Sequence, residues 1–306
     1  MSLRVAVCIV SFRNPADVAR CLEGLSKSEW RDFEVVICEN GGAAAFEALS
    51  ARIPQSLPQG QPVRAVLADG NLGYAGGVNL CIAHSRDADA WWVLNPDTYP
   101  SPQALAALIR RLERGDCEAV GNTLHLPDGR VQSHGGLWRK SLARAVSMGY
   151  GAPAATIPDA AAIEAAQNYL NGASMLISRR FVDVAGLMDE RYFLYCEEVE
   201  WCLRAKAMGL RLGFAPDGPV LHEQGTSTGH SANLKTRSKL SVYLGERNRL
   251  ILTRDRYPAL LPVAAVAALA LLILRFGRGR AWRQLGYALQ GWAAGLMNRR
   301  GAPAWS

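Results

Sequence analysis

Four apolar runs, each followed by a stretch with helical spacing, fill the first 114 residues, and this alternation is the tightest constraint on the fold. The runs are RVAVCIVSF (4–12), FEVVICEN (33–40), VRAVLAD (63–69) and ADAWWVLNPD (88–97). They are rich in β-branched and aromatic residues and carry no polar alternation, the pattern of strands covered on both faces. After the first run, Arg13-Asn14-Pro15 breaks the strand, and Val18, Cys21, Leu22 and Leu25 then follow helical spacing. Residues 43–50, 75–85 and 101–114 read as further helices, the last begun by Ser101 and Pro102. Strands alternating with helices at this interval imply βαβ units, and so an α/β fold with a mostly parallel sheet.

In such a sheet all four strands end on one edge, where α/β proteins bind ligands. The ends are Ser11-Phe12-Arg13, Glu39-Asn40, Asp69-Gly70-Asn71 and Asn95-Pro96-Asp97. Each is also an ordinary place for a cap or turn residue, but together they collect carboxylates and amides on a single rim. The stretch NLGYAGGVN (71–79) has a G-x-x-G-G spacing. It lacks G-x-G-x-x-G and does not follow the first strand, which counts against a dinucleotide-binding oxidoreductase.

Beyond residue 120 the rhythm changes. Residues 121–167 read as a hairpin and a long excursion, 168–180 as a strand, 181–209 as two helices and 210–225 as one or two short strands. The run Glu197-Glu198-Val199-Glu200 opens the second of those helices, where the helix dipole favours carboxylates. Glu200 and Arg204 are spaced as a surface ion pair. Glu197 and Glu198 point about 100° apart on a helix, so one can face a cleft as a general base. His222 ends an apolar segment; a lone His is more often structural than a ligand, and its partner, if it has one, would be a carboxylate such as Asp97. Carboxylate and imidazole together suit a divalent ion of the manganese type.

The net charge of +7 is unevenly spread: residues 246–306 hold ten Arg against Glu246 and Asp255, and the remainder sums to −1. A nucleic-acid groove across the main body is therefore not expected. The division predicts a catalytic domain over 1–245 and a basic, apolar helical region over 246–306. Seven cysteines form no C-x-x-C pair and suit a reducing compartment, with Cys8 and Cys38 in the core. The N-terminus reads as a strand rather than a signal peptide. Residues 259–274 are apolar and flanked by Arg, shorter than the roughly 20 residues of a spanning helix. They fit either a helix packed on the domain or a segment held to anionic lipid. Trp282, Trp292 and the nearby arginines favour peripheral attachment at the inner face of the cell membrane.

The segments VAVCIVSFRN, VVICENGG, NLGYAGGVN, WWVLNPDT, NGASMLISRR, GLMDERYFLYCEEVEWCLRAKAMG and VLHEQGTS, in this order, resemble family 2 glycosyltransferases, closest to the rhamnosyltransferase-like branch of bacterial surface polysaccharide synthesis. The likeness covers roughly residues 4–255. It implies a GT-A fold and inverting transfer from a nucleotide-diphosphate sugar, such as a dTDP- or UDP-sugar, to a glycan or polyprenyl-linked acceptor. Asn95-Pro96-Asp97 stands at the family's metal motif, with Asp97 and His222 implied as ligands of Mg²⁺ or Mn²⁺. Glu39 stands where the family meets the nucleotide base with Asp. Ser11, Phe12, Arg13, Asn40, Asn71, Gly73, Gly76 and Asn79 are implied on the nucleotide-sugar side, and Asn171, Gly172, Glu197 and Trp201 on the acceptor side. Glu198 takes the place of the catalytic Asp, its extra methylene reaching roughly 1.5 Å farther. Residues 125–167 are expected to shape the acceptor side. A non-catalytic sugar-binding module at the membrane is the competing reading.

Overall fold

The computed structural model describes residues 3–223 and 233–305. Strands β1 (Val5–Ser11), β2 (Phe33–Glu39), β3 (Val63–Leu67) and β4 (Ala90–Leu94) alternate with helices α1 (Pro15–Leu25), α2 (Ala43–Ser50) and α3 (Gly73–Ala83). They form a parallel half-sheet in the order β3-β2-β1-β4. Every residue of β1 and β4 is buried. Val5, Val7 and Ile9 of β1 enter one core layer, while Ala6, Cys8 and Val10 enter the layer on the opposite face. Two covered faces account for apolar runs without alternation. All seven cysteines are buried and unbridged.

The second half of the sheet is mixed. It comprises β5 (Thr98–Pro100), β6 (Ala119–His125), β7 (Val131–Ser133), β10 (Ser174–Ser178) and β11 (Leu212–His222). Between them come α4 (Ala104–Leu112), a hairpin of β8 (Gly136–Arg139) and β9 (Arg144–Ser147), α5 (Ala160–Ala166), α6 (Arg179–Ala185) and α7 (Glu197–Ala207). The order continues β4-β10-β6-β11-β5, with β7 on β6. Strand β10 runs antiparallel to both β4 and β6, and β5 antiparallel to β11. The sequence reading reached the hairpin, β10, α6 and α7 but not β5 or β6. Strand β5 is only three residues long, and β6 carries Gly121, Asn122 and Thr123, which weaken its apolar signal.

Three helices close the chain: α8 (Lys239–Arg256), α9 (Leu261–Arg278) and α10 (Trp282–Leu296). The 245/246 division drawn from charge falls in the middle of α8. Leu250, Ile251 and Leu252, beyond that line, join the same core layer as Ala6 and Cys8, so composition there marks no structural break. Helix α10 lies tight on α8; a Cβ on Gly291 would stand 2.2 Å from the Tyr243 carbonyl oxygen. Helix α9 buries Ala264, Ala265, Ala268, Leu272 and Phe276. Its other face exposes Val263 (59%), Val266 (70%), Ile273 (48%) and Leu274 (52%). With the preceding turn it forms a 21-residue apolar helix, Pro258–Arg278, long enough to cross a membrane and only partly covered by the domain.

Candidate active site

A cleft of about 470 Å³ opens at the carboxyl ends of β1, β2 and β4. Phe12, Asn40, Asn71 and Gly73 line one part of it, Asn95, Pro96, Asp97 and His222 another, and Asn171, Gly172, Glu197 and Glu198 the far wall. The NLG loop is held by Asn40, whose side chain donates to the Gly73 carbonyl (2.8 Å) and accepts from the Leu72 amide (3.3 Å). Gly73 has φ +71°, and a Cβ there would meet the Phe193 carbonyl at 2.2 Å, so only glycine fits. From the next residue the Tyr74 amide donates to that same carbonyl (2.7 Å), while the Tyr74 hydroxyl donates to Gly172 O (2.6 Å). The loop is thereby tied to the far wall at two points.

Asp97 and His222 meet because β5 pairs with the end of β11, setting Thr98 opposite His222. Asp97 Oδ1 and His222 Nε2 stand 3.2 Å apart, both side chains nearly buried. His222 Nδ1 lies 2.9 Å from Gln132 Oε1, so Nδ1 carries the proton, and the Asn95 amide approaches Nε2 at 3.4 Å as a donor. The Nε2 atom and a carboxylate oxygen then face each other across a gap in which both can act as ligands of one cation. Two ligands adjacent on an octahedral ion with bonds of about 2.1 Å stand about 3 Å apart. A histidine held through its other nitrogen is the usual support of a metal ligand. The pair therefore fits as part of a divalent-ion site. Among the described residues no third His, Cys, Asp or Glu joins them.

The far wall carries the carboxylates. Glu197 is buried with its Oε2 unpartnered, and Glu198 is partly exposed, its stem against Gly172. Burial, then the neighbouring Glu198 charge, pushes the Glu197 carboxyl up to about 8. Burial also pushes Glu198 up, to about 6, with backbone N–H donors opposing it. Burial thus raises both carboxyls, Glu197 further than Glu198, so Glu198 is the more readily ionised of the two and the better placed to accept a proton.

Residues 6–146 match the sequence model described as Glycosyl transferase family 2. Just under half of the chain thus matches the family 2 glycosyltransferases. An N-acetylglucosaminyl-diphospho-decaprenol L-rhamnosyltransferase of Mycobacterium tuberculosis is 27% identical over 265 residues, covering 79% of this chain and 84% of that one. A low-salt glycan biosynthesis hexosyltransferase of Haloferax volcanii is 21% identical over 98% of this chain and 93% of its own length. Among solved structures, a mannosyltransferase of Pyrobaculum calidifontis in complex with GDP-Man and Mn²⁺ superposes with a TM-score of 0.60 at 16% identity, covering 98% of this chain and 88% of that one. The fold is that of the GT-A neighbours, and the enzyme is a glycosyltransferase.

Not every expected site residue of this glycosyltransferase reaches the cleft. Glu39 is wholly buried, accepting from the Ser11 hydroxyl and from the Arg13 and Gly41 amides, so it braces the strand ends from beneath. Arg13 lies over the Phe12 ring, which itself lines the cleft. Asn79 points away, bonding Met188 and Glu190, and a Cβ on Gly76 would meet Leu72. Trp201 is a core residue, edge-on to Phe181 and donating to the Gly186 carbonyl. No residue of 125–167 lines the cleft; Gln132 contributes only by holding His222. The Gly225-Thr226-Ser227 part of the VLHEQGTS segment lies outside the described residues.

Two features of the site had no signal in the sequence. Glu200 does pair with Arg204, but the pair is buried rather than superficial, and Arg256 of α8 joins it. Immediately before α7, Phe193, Tyr195 and Cys196 all have positive φ (67°, 75° and 70°). Asn248 of α8, fully buried, donates to the carbonyls of Tyr192, Leu194 and Tyr195 at 2.8–2.9 Å, and Arg247 adds a bond to Tyr192 O. The C-terminal helix thus holds the strained turn that aims Glu197 and Glu198. An asparagine inside an Arg-rich helix announces nothing of this, because its partners lie more than 50 residues away.

Proposed function

We propose that this glycosyltransferase moves a sugar, rhamnose from dTDP-rhamnose, with inversion to a hydroxyl of a diphosphate-lipid-linked glycan. The observation that carries this reading is the Asp97–His222 pair, 3.2 Å apart, in the same cleft as Glu198. Asp97 and His222 would hold Mg²⁺ or Mn²⁺, which supplies charge neutralisation at the departing diphosphate. Asn40, Asn71 and Gly73 shape the donor side and keep its backbone rigid. Glu198 takes the proton of the acceptor hydroxyl, while Glu197, kept neutral by burial, avoids a second negative charge beside it. Rhamnose and a diphosphate-linked lipid are favoured by the relative from Mycobacterium tuberculosis, whose name states both L-rhamnosyl transfer and a diphospho-decaprenol acceptor. Attachment at the cytoplasmic face of the membrane is favoured by the exposed apolar face of α9 and the arginines that follow it.

The test is a thermal-shift panel of dTDP, UDP and GDP with and without Mn²⁺, followed by transfer assays with dTDP-rhamnose. Ligand binding raises apparent stability. A dTDP shift that needs Mn²⁺ and is lost in His222→Ala supports the reading. Equal shifts with and without Mn²⁺, or a preference for GDP, refute the metal or the donor respectively.

A further inference from the structure

After α10 the chain folds back onto the turn that precedes α7 and grips it at Tyr192. Arg300 makes a two-bond ion pair with Asp255 of α8 (2.9 and 2.6 Å), both side chains largely shielded from water. Asp255 Oδ2 also accepts from the Tyr192 hydroxyl (2.9 Å). The next residue, Gly301, donates its amide to the Arg191 carbonyl (2.8 Å), and its own carbonyl accepts from Arg247 Nη1 (2.7 Å). Arg247 Nη2 in turn donates to Tyr192 O (3.1 Å). Tyr192, fully buried, is therefore held at its hydroxyl through Arg300 and at its backbone through Gly301.

Arg247 stands at the centre of this arrangement. It is 1% exposed, and among the described residues no carboxylate lies within ion-pair distance of it. A buried cation without a counter-charge is costly, so neutral acceptors alone keep it in place. They are Tyr192 O, Gly301 O and Asn248 Oδ1 (2.8 Å), with the Tyr243 ring 5.8 Å away. The guanidinium is planar and its donors diverge at fixed angles, so the place of Gly301 O sets the place of Tyr192 O. Farther on, Trp305 lies edge-on to Tyr243 (5.4 Å), which packs in one apolar cluster with Phe193. The carbonyls after Tyr192 are taken as well: Phe193 O by the Tyr74 amide, Leu194 O and Tyr195 O by Asn248. A shift at Tyr192 is thus passed along a fully bonded turn to Glu197 and Glu198, which open α7.

We propose that Arg247 and Arg300 are positioning residues for Glu198, and that the segment after α10 is a clasp that fixes Tyr192 for this purpose. Neither arginine lines the cleft, so both act through the turn. This rests on Glu198 being the base, as read above.

The test compares the full-length wild type with Arg300→Gln, Asp255→Asn, their double variant and Arg300→Lys. Transfer is measured well below the melting temperature with kcat and donor KM separated, beside the dTDP–Mn²⁺ thermal shift and amide hydrogen exchange. Each single variant is expected to lose at least about tenfold in kcat, as a small displacement of a catalytic group does, with donor KM and the dTDP shift as in the wild type. Exchange over residues 192–198 should quicken in the same variants, while exchange in β1 stays as it was. The double variant should fall no further than either single one, because both cut the same link. Arg300→Lys keeps the charge but not the fork, and should recover part of the loss. Full kcat with a lowered Tm would make the clasp a stabilising contact only and overturn the proposal. So would a kcat loss with unchanged exchange at 192–198, additive losses in the double variant, or a matching loss of the dTDP shift, which would assign the effect to the donor side. A wild type that transfers no sugar defeats the functional reading; exchange then decides the clasp alone, and unchanged exchange at 192–198 defeats it.

Discussion

Replacing Asn248 by Leu keeps the volume of the side chain and removes its amide. The carbonyls of Leu194 and Tyr195 then lose a donor they cannot replace in a buried position, while Tyr192 O keeps its bond from Arg247. The amide has two N–H groups to share among these carbonyls, so at about 1 kcal/mol net for each the loss is about 2 kcal/mol. In a chain of this length each kcal/mol lowers Tm by about 2 °C, so a drop of about 4 °C is expected. The catalytic consequence should be larger than the structural one. Holding non-glycine residues at positive φ costs about 1–3 kcal/mol each, and without Asn248 the turn at Phe193, Tyr195 and Cys196 relaxes. A shift of about 1 Å in Glu198 would cost about 100-fold in kcat. Asn248→Asp keeps the acceptor for Arg247 Nε (2.8 Å) but loses the donors, and should fall in kcat alongside the leucine variant. The measurements are a thermal melt and steady-state transfer with kcat and KM separated. Full kcat at lowered Tm would refute the positioning argument, and an unchanged Tm would refute the hydrogen-bond network.

Glu198→Gln should abolish transfer while leaving the dTDP-dependent thermal shift intact; residual transfer within about tenfold of wild type would remove Glu198 as the base. For the wild type, activity should fall as pH drops through about 6, above the ordinary glutamate range, since Glu198 accepts a proton only when ionised. Glu197 has its folded-state pKa raised to about 8, so folding is favoured when it is protonated and loses stability as pH rises from its ordinary value near 4.5 toward 8. Glu197→Gln should therefore melt like the wild type near pH 4 and progressively higher than it by pH 8; equal melting at both ends would show that the carboxyl is not buried as an acid. Glu200→Gln leaves Arg204 and Arg256 without their shared counter-charge, and urea unfolding should register a loss of about 3–5 kcal/mol. A loss below 1 kcal/mol would place that pair at the surface after all.

The parallel half of the sheet was legible because its signals are local. Val5–Ser11 and Ala90–Leu94 are apolar throughout, and residues after each strand carry helical spacing within a dozen positions. The same locality named Asp97, Asn71 and Glu198, which stand at element ends where ligand chemistry concentrates. The resemblance implied Glu39, Asn79 and Trp201 on the ligand side, whereas their side chains turn into the protein here, because a position in a motif does not say which way a side chain turns. Their directions were settled by Ser11, Met188 and Phe181, neighbours in space alone.

From the sequence by itself follow the α/β class, the rim of strand ends and the carboxylates available for catalysis, since each depends on residues close together in the chain. Tertiary structure alone decided that a three-residue strand brings Asp97 to His222, that burial separates Glu197 from Glu198 in acidity, and that α8 reaches under the turn before α7. Pairing, desolvation and packing of this kind arise between segments far apart in the chain, and no local periodicity encodes them.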